Sequence, residues 1–195
     1  MGYDAKAKLH RYLQVGREAM LWKLDGLSEY DIRRPLTPTG TNLLGLVKHL
    51  ASVEYDYFGV TFGRPHDEPL PWMADDSEPN ADMYAAVDES RDDILDLYRR
   101  ANAHADATID ALDLDSEGHV PWWPDDVNPV TLHWILVHMA TETHRHAGHA
   151  DVVRELIDGE VGYRPAAPNL PDGGADWWAG YVARVEATAR AAGER

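Results

Sequence analysis

The sequence predicts an all-α fold, an antiparallel four-helix bundle followed by one accessory C-terminal helix. Three observations predict it. Apolar residues recur at helical spacing through four long stretches, and Pro- and Gly-rich breaks separate those stretches. Nowhere does the chain show the alternation of a strand or the short turn of a hairpin. Amphipathic helices of this kind bury their stripes most simply against one another. Residues 1–160 are expected to form the bundle. Residues 161–195 are expected to form a Pro/Gly linker and an amphipathic helix packed on the same domain.

The first helix is expected from Asp4, a plausible cap, to about Leu27, with Leu9, Leu13, Met20, Leu24 and Leu27 as its apolar stripe. RRPLTPTGTN then demands a loop, and Thr39 or Thr41 can cap the next helix. That second helix runs from about Asn42 to Phe58 and stops at Gly59. Leu43, Leu46, Val47, Leu50, Val53 and Tyr57 give it a buried face, and His49 lies beside that face. Residues 63–80 read as a long irregular connection, from which Trp72 lines a pocket or anchors the loop.

A third helix is expected from Ala81 to about Leu112, with Tyr84, Val87, Ile94 and Tyr98 in its stripe and His104 facing solvent. Trp122 and Trp123 stand at the mouth of the fourth helix, as core staples or as pocket walls. That helix should span Asn128 to Glu160, with Asn128 and Pro129 opening it and Gly159 ending it. In the last helix Trp178, Val182 and Val185 are expected to face inward.

Composition narrows the function. The chain of 195 residues suits one domain, and no stretch approaches the roughly 18–20 apolar residues of a membrane span. The N-terminus lacks the apolar core of a secretory signal, so a cytoplasmic protein is expected. A formal charge of −16 argues against a nucleic-acid partner and against anionic membrane surfaces. The absence of cysteine excludes thiolate ligands and a protein thiol nucleophile, so any thiol chemistry uses a thiol from outside. Most basic residues are Arg, with only four Lys, which suits a GC-rich bacterial genome.

The fourth helix carries the chemistry. His138, Glu142, His146 and His149 follow spacings of four, four and three, so they share one helical face. A stripe of histidine and carboxylate makes a poor core and a good half of a metal site. A histidine from a facing helix, such as His49, would complete two imidazoles and one carboxylate, a set suited to zinc, iron or nickel. Three protein ligands leave a position open for substrate. Spacing alone leaves Glu142/His146, His138/Glu142 and His146/His149 all possible as the close pair.

TPTGTNLLGLVKHLASVEYDYFG, followed far downstream by LHWILVHMATETHRHAGHADVVRELIDG, resembles the DinB-like metalloprotein superfamily. It is most similar to the actinobacterial branch of mycothiol-dependent transferases and mycothiol-dependent maleylpyruvate isomerase. The likeness runs from the first helix to about Gly159. In that superfamily one residue of the second helix and two residues, four apart, of the last bundle helix hold the metal. Three histidines are common there, and the isomerase-like pattern places a glutamate first in the close pair. The resemblance therefore implies His49, Glu142 and His146 as ligands of a divalent ion, zinc first, with nickel, iron or manganese as alternatives. It makes His149 the catalytic base beside them and His138 an orienting neighbour; His133 and His144 stay outside.

The activity so implied is transfer of a low-molecular-weight thiol of the mycothiol type to a small electrophile, with the thiol as cosubstrate. Maleylpyruvate isomerase activity itself is not implied. Two other classes fit the same metal site: a metal-dependent hydrolase, and a non-catalytic stress protein that binds a metal or small ligand. Arg145 and Arg154 read as surface ion-pair formers before anion binders. Neither monomer nor homodimer is favoured by the sequence.

Overall fold

In the computed structural model, which describes residues 4–165 and 167–194, the chain is helical throughout its core. Four long helices, α1 (Ala5–Trp22), α3 (Leu43–Phe58), α4 (Arg91–Ala111) and α5 (Leu132–Asp158), make the bundle. A short α2 (Glu29–Arg33) follows α1, and α6 (Ala175–Gly193) ends the chain. The only strands among the described residues are β1 (Glu117–Gly118) and β2 (Val130–Thr131), a two-residue antiparallel ladder. No helix among the described residues is long and apolar enough to cross a membrane.

Side-chain contacts give the directions of the helices. His144 of α5 bonds the Tyr12 carbonyl, and Arg154 bonds the carbonyl of Lys23, so α1 and α5 run parallel. Lys48 meets Glu89 just before α4, and Tyr55 meets His104 further along, so α3 and α4 run parallel too. His49 faces His146 while Tyr57 faces His138, which sets α3 antiparallel to α5. Two parallel pairs thus pack antiparallel to each other. Returning from the end of α3 to a parallel α4 requires a crossover, and residues 59–90 supply it.

That crossover explains why α4 begins at Arg91, capped by the Ser90 side chain, and not at Ala81 as its periodicity suggests. The carbonyls of Ala81 and Tyr84 accept from Lys48 Nζ, and that of Met83 accepts from Asn42. Backbone used in this way is spent on α3 and cannot wind into a helix. Val87 is fully exposed as a result. Trp72 proves to be the anchor of the crossover: its indole N–H donates to Ser52 at 2.9 Å, and the Lys48 ammonium sits 4.0 Å above its ring. His104 is half-buried, its Nε2 donating to the Arg64 carbonyl at 2.8 Å.

Other ends differ for equally local reasons. Asp4 caps α1, which stops at Trp22 and not near Leu27. Ser28 caps α2, an element the sequence did not announce. Asn42, and neither Thr39 nor Thr41, caps α3, its Oδ1 accepting from Gly45 N–H at 2.8 Å. Asn128 does not open α5, because residues 130 and 131 extend into β2. Its side chain instead bonds both N–H and C=O of Val120, and Thr131 takes the cap. Gly159 ends α5 in the left-handed conformation, as expected. Along α6 no residue is buried. Trp178 is half-buried in a cleft with Asp151 and Glu155, whereas Val182 and Val185 are exposed and not inward. Past Trp178 the helix has no neighbouring surface to bury them.

The core falls into two apolar clusters, one around Met20, Leu43, Leu50 and Tyr98 and one around Leu13, Phe58, Ile109 and Met139. A polar layer lies between them. Arg17 of α1, wholly inside, grips Glu54 of α3 through Nε and Nη2 at 2.8 and 2.6 Å, and its Nη1 reaches Asp106 of α4 at 2.6 Å. Burial, the largest influence, pushes the Glu54 carboxyl above its usual range despite the guanidinium beside it. Asp106 is also raised by burial, but hydrogen bonds from His10 and Arg17, with the charge of Arg17, pull it down to about 2.

Removing one partner leaves a charge without water, which costs about 3–5 kcal/mol. Arg17→Met should therefore lower the unfolding free energy in urea by about that much. Arg17→Met combined with Glu54→Leu should recover most of the loss, because Glu54 is no longer stranded and Asp106 keeps its bonds to His10 and Gln14.

Candidate metal centre

The face of α5 seen in the sequence becomes a site because α3 lies antiparallel across it. Leu46, Leu50 and Ala51 bury one side of α3, and Leu136, Met139 and Ala147 bury one side of α5, so His49 and Glu142 meet at the edge of the packed surface. His49, Glu142 and His146 each bring one ligand atom, and these three atoms lie within 4.8 Å of one another. Glu142 Oε1 is 2.9 Å from His146 Nε2 and 3.5 Å from His49 Nε2. The two rings stand 5.0 Å apart at 69°, aimed at the same carboxylate. His146 is buried, and the other two are partly open to solvent.

One residue at the site was not legible in the sequence. Asp82 Oδ2 accepts from His49 Nδ1 at 2.7 Å, which places the ring proton on Nδ1 and leaves Nε2 bare toward Glu142. Its sequence neighbourhood resembles the start of a helix, and no spacing relates it to His49. Gly45 makes the contact possible: a Cβ there would overlap the Met83 carbonyl, so only glycine lets the crossover lie this close to α3.

The electrostatics follow from these contacts. Burial is the largest influence on His49 and lowers its pKa, but the hydrogen bond and charge of Asp82, joined by Glu142, raise it overall. His146 is lowered, first by burial and then by the charge of His49, against the pull of Glu142. Glu142 is raised by burial, yet His146 and His49 outweigh that and hold it below the usual carboxylate range. Two imidazole nitrogens and an ionised carboxylate oxygen, all convergent, are the donor set of a divalent ion. The residues fit such an ion.

The remaining histidines separate. His149 is exposed and points its Nδ1 at the Nδ1 of His146, 3.4 Å away. His138 lies one turn from Glu142 with its ring against Tyr57 and Trp123, at 4.6 and 5.1 Å between centroids. His144 faces α1 and donates to the Tyr12 carbonyl, away from the triad, and His133 is exposed. Arg154 is buried and structural: it donates to the carbonyls of Lys23 and Asp25 beyond the end of α1 and pairs with Asp158.

Two expectations can be measured on the metal-free protein. Asp82→Ala should weaken zinc binding by about 10–100-fold in equilibrium dialysis while helix content stays unchanged; unaltered affinity would remove Asp82 from the site. The imidazoles must be neutral to bind, and His49 holds its proton above the ordinary 6.5. Affinity should therefore be full at alkaline pH and fall as pH drops through the raised His49 value. Calorimetric titration at pH 6.5 in buffers of different ionisation enthalpy should show protons released on zinc binding, and zero release would contradict the assignment.

Comparisons with known proteins bear on the same residues. A family model described as Mycothiol-S-transferase matches residues 8–159, a span that contains the triad and all of the bundle except the first three residues of α1. No curated protein matches significantly. Among solved structures, the chain is similar to one titled "Crystal structure of the conserved protein of locus from Enterococcus faecalis", with a TM-score of 0.57 and 17% identity. The likeness covers 82% of this chain and 100% of that one, and at such identity it speaks for the fold alone.

Proposed function

The chain belongs to the mycothiol-S-transferase family, and from that premise we propose that it is a divalent-metal-dependent enzyme transferring a low-molecular-weight thiol of the mycothiol type to a small electrophile. The observation that carries the reading is the convergence of His49, Glu142 and His146 on one point at the edge of the bundle. A divalent ion held there, zinc first and nickel, iron or manganese by the same donor logic, supplies a Lewis acid that lowers the pKa of a thiol.

The chain's own residues do the rest. Asp82 fixes the tautomer of His49, and the His149 ring stands beside that of His146, with 3.4 Å between their Nδ1 atoms. Burial of His146 keeps its imidazole neutral around neutral pH. The bare ring nitrogen of His149 then takes the proton of the incoming thiol. The sulfur forms its bond to the electrophilic carbon, and the leaving group departs with its electron pair. The chain has no cysteine to compete for the electrophile. A cytoplasmic setting, where small thiols stay reduced, suits such a reaction.

The test uses zinc-loaded protein, mycothiol and 1-chloro-2,4-dinitrobenzene, with thioether formation followed by absorbance. Turnover should require both zinc and thiol. His149→Ala should keep its zinc and lose about 10²–10⁴-fold in rate, as expected when a general base is removed. Ester hydrolysis without thiol would instead make the protein a hydrolase, and zinc binding without turnover would make it a binding protein.

A further inference from the structure

On α5 the stripe that holds the triad continues toward the N-terminus. Trp134, His138, Glu142 and His146 are each four residues apart, so they form one line along the helix. Opposite them on α3 stand Tyr57, Val53 and His49, also four apart. The metal end of this face is polar, and the other end is aromatic. Tyr57 meets Trp122 at 5.3 Å, Trp123 at 5.8 Å and His138 at 4.6 Å between ring centroids; Trp123 meets Trp134 at 5.8 Å. The indole N–H of Trp122 donates to the Tyr57 hydroxyl at 3.4 Å, which ties the loop before α5 to α3.

Packing alone does not account for this cluster. Tyr57 is buried, but Trp122 and Trp134 leave 47% and 46% of their surface in water. Large indole faces held rigid and wet, next to a triad with an open side, are a binding surface more than a core. The level of His138 lies about 6 Å from that of Glu142, at roughly 1.5 Å per residue. That separation matches the length of a single substituted benzene ring.

We propose that Tyr57, Trp122, Trp123, Trp134 and His138 form a subsite for the planar aromatic group of the electrophile, whose reacting carbon then lies at the level of Glu142. The proposal rests on the transferase reading for its reaction, but the subsite itself needs neither thiol nor metal. Electron-rich indoles favour an electron-poor ring, by offset stacking. Aliphatic electrophiles gain nothing from this wall.

The experiment is therefore a binding measurement on metal-free protein without thiol. Tryptophan fluorescence is titrated with 1,3-dinitrobenzene, an electron-poor ring with no leaving group. Wild type should show saturable quenching. Trp122→Ala should bind about 10-fold more weakly, the loss of one aromatic contact. Trp122→Phe, which keeps a ring, should bind within about 3-fold of wild type, and Trp177→Ala on α6 should bind as wild type. Circular dichroism establishes that each variant is folded.

Non-saturable quenching, or equal affinity in wild type and Trp122→Ala, would overturn the subsite. So would a saturable response to tetramethylammonium chloride with none to dinitrobenzene, since that describes a cation cage. A protein that binds dinitrobenzene through Trp122 yet transfers no thiol would keep the subsite and lose the transferase reading. The two failures are distinct.

Discussion

Glu54 is sealed from bulk solvent, and the bundle is arranged to supply what water would have supplied. Its carboxylate lies wholly inside, between the two apolar clusters, and Arg17 meets it with a two-pronged hydrogen bond while holding Asp106 with its remaining nitrogen. A buried pair of this kind is a poor source of net stability, but a one-turn slip of α1, α3 or α4 would strand a charge. It therefore fixes the register of three helices. His49 stands little more than one turn before Glu54 on α3, so the level at which it faces α5 is set by the same constraint.

The fourth helix of the bundle takes its register from α1 by different means. Lys23 pairs with Asp151, and Arg154 closes on the carbonyls of Lys23 and Asp25 just beyond α1. With α1 thus tied to α3 by Arg17 and to α5 by these contacts, the polar anchors of both helices bring Glu142 and His146 opposite His49, and apolar packing between α3 and α5 holds them there. The triad is then free to carry ligand chemistry instead of structure. Its cost is electrostatic: an ionised carboxylate at the edge of an acidic protein, balanced by a His49 whose proton Asp82 and Glu142 both favour. A divalent ion bound there would relieve that arrangement by replacing the proton.

Much of this was legible in the sequence, and what was not has physical reasons. The spacing of His138, Glu142, His146 and His149 displays a helical face directly, and Gly159 marks its end. The pairing of His49 with that face needed the family resemblance, because sequence carries no register between helices. The start of α4 was misplaced since Tyr84 and Val87 continue a helical pattern, while the Lys48 and Asn42 side chains claim the backbone there. Asp82 was missed for the same reason. Asn128 and Pro129 resemble a helix start, but a two-residue ladder with Glu117–Gly118 delays α5 to Leu132. The stripe of α6 promised burial, and amphipathicity alone could not say what surface would meet Val182 and Val185.

The claim at the centre is that His49, Glu142 and His146 hold one divalent ion. Zinc stoichiometry by equilibrium dialysis with elemental analysis tests it most directly, on wild type, His49→Ala, Glu142→Ala and the neighbouring His144→Ala. One zinc per chain is expected in wild type and in His144→Ala, and loss of bound zinc in the other two with helix content retained. Full zinc occupancy in His49→Ala or Glu142→Ala, at unchanged affinity, would contradict it.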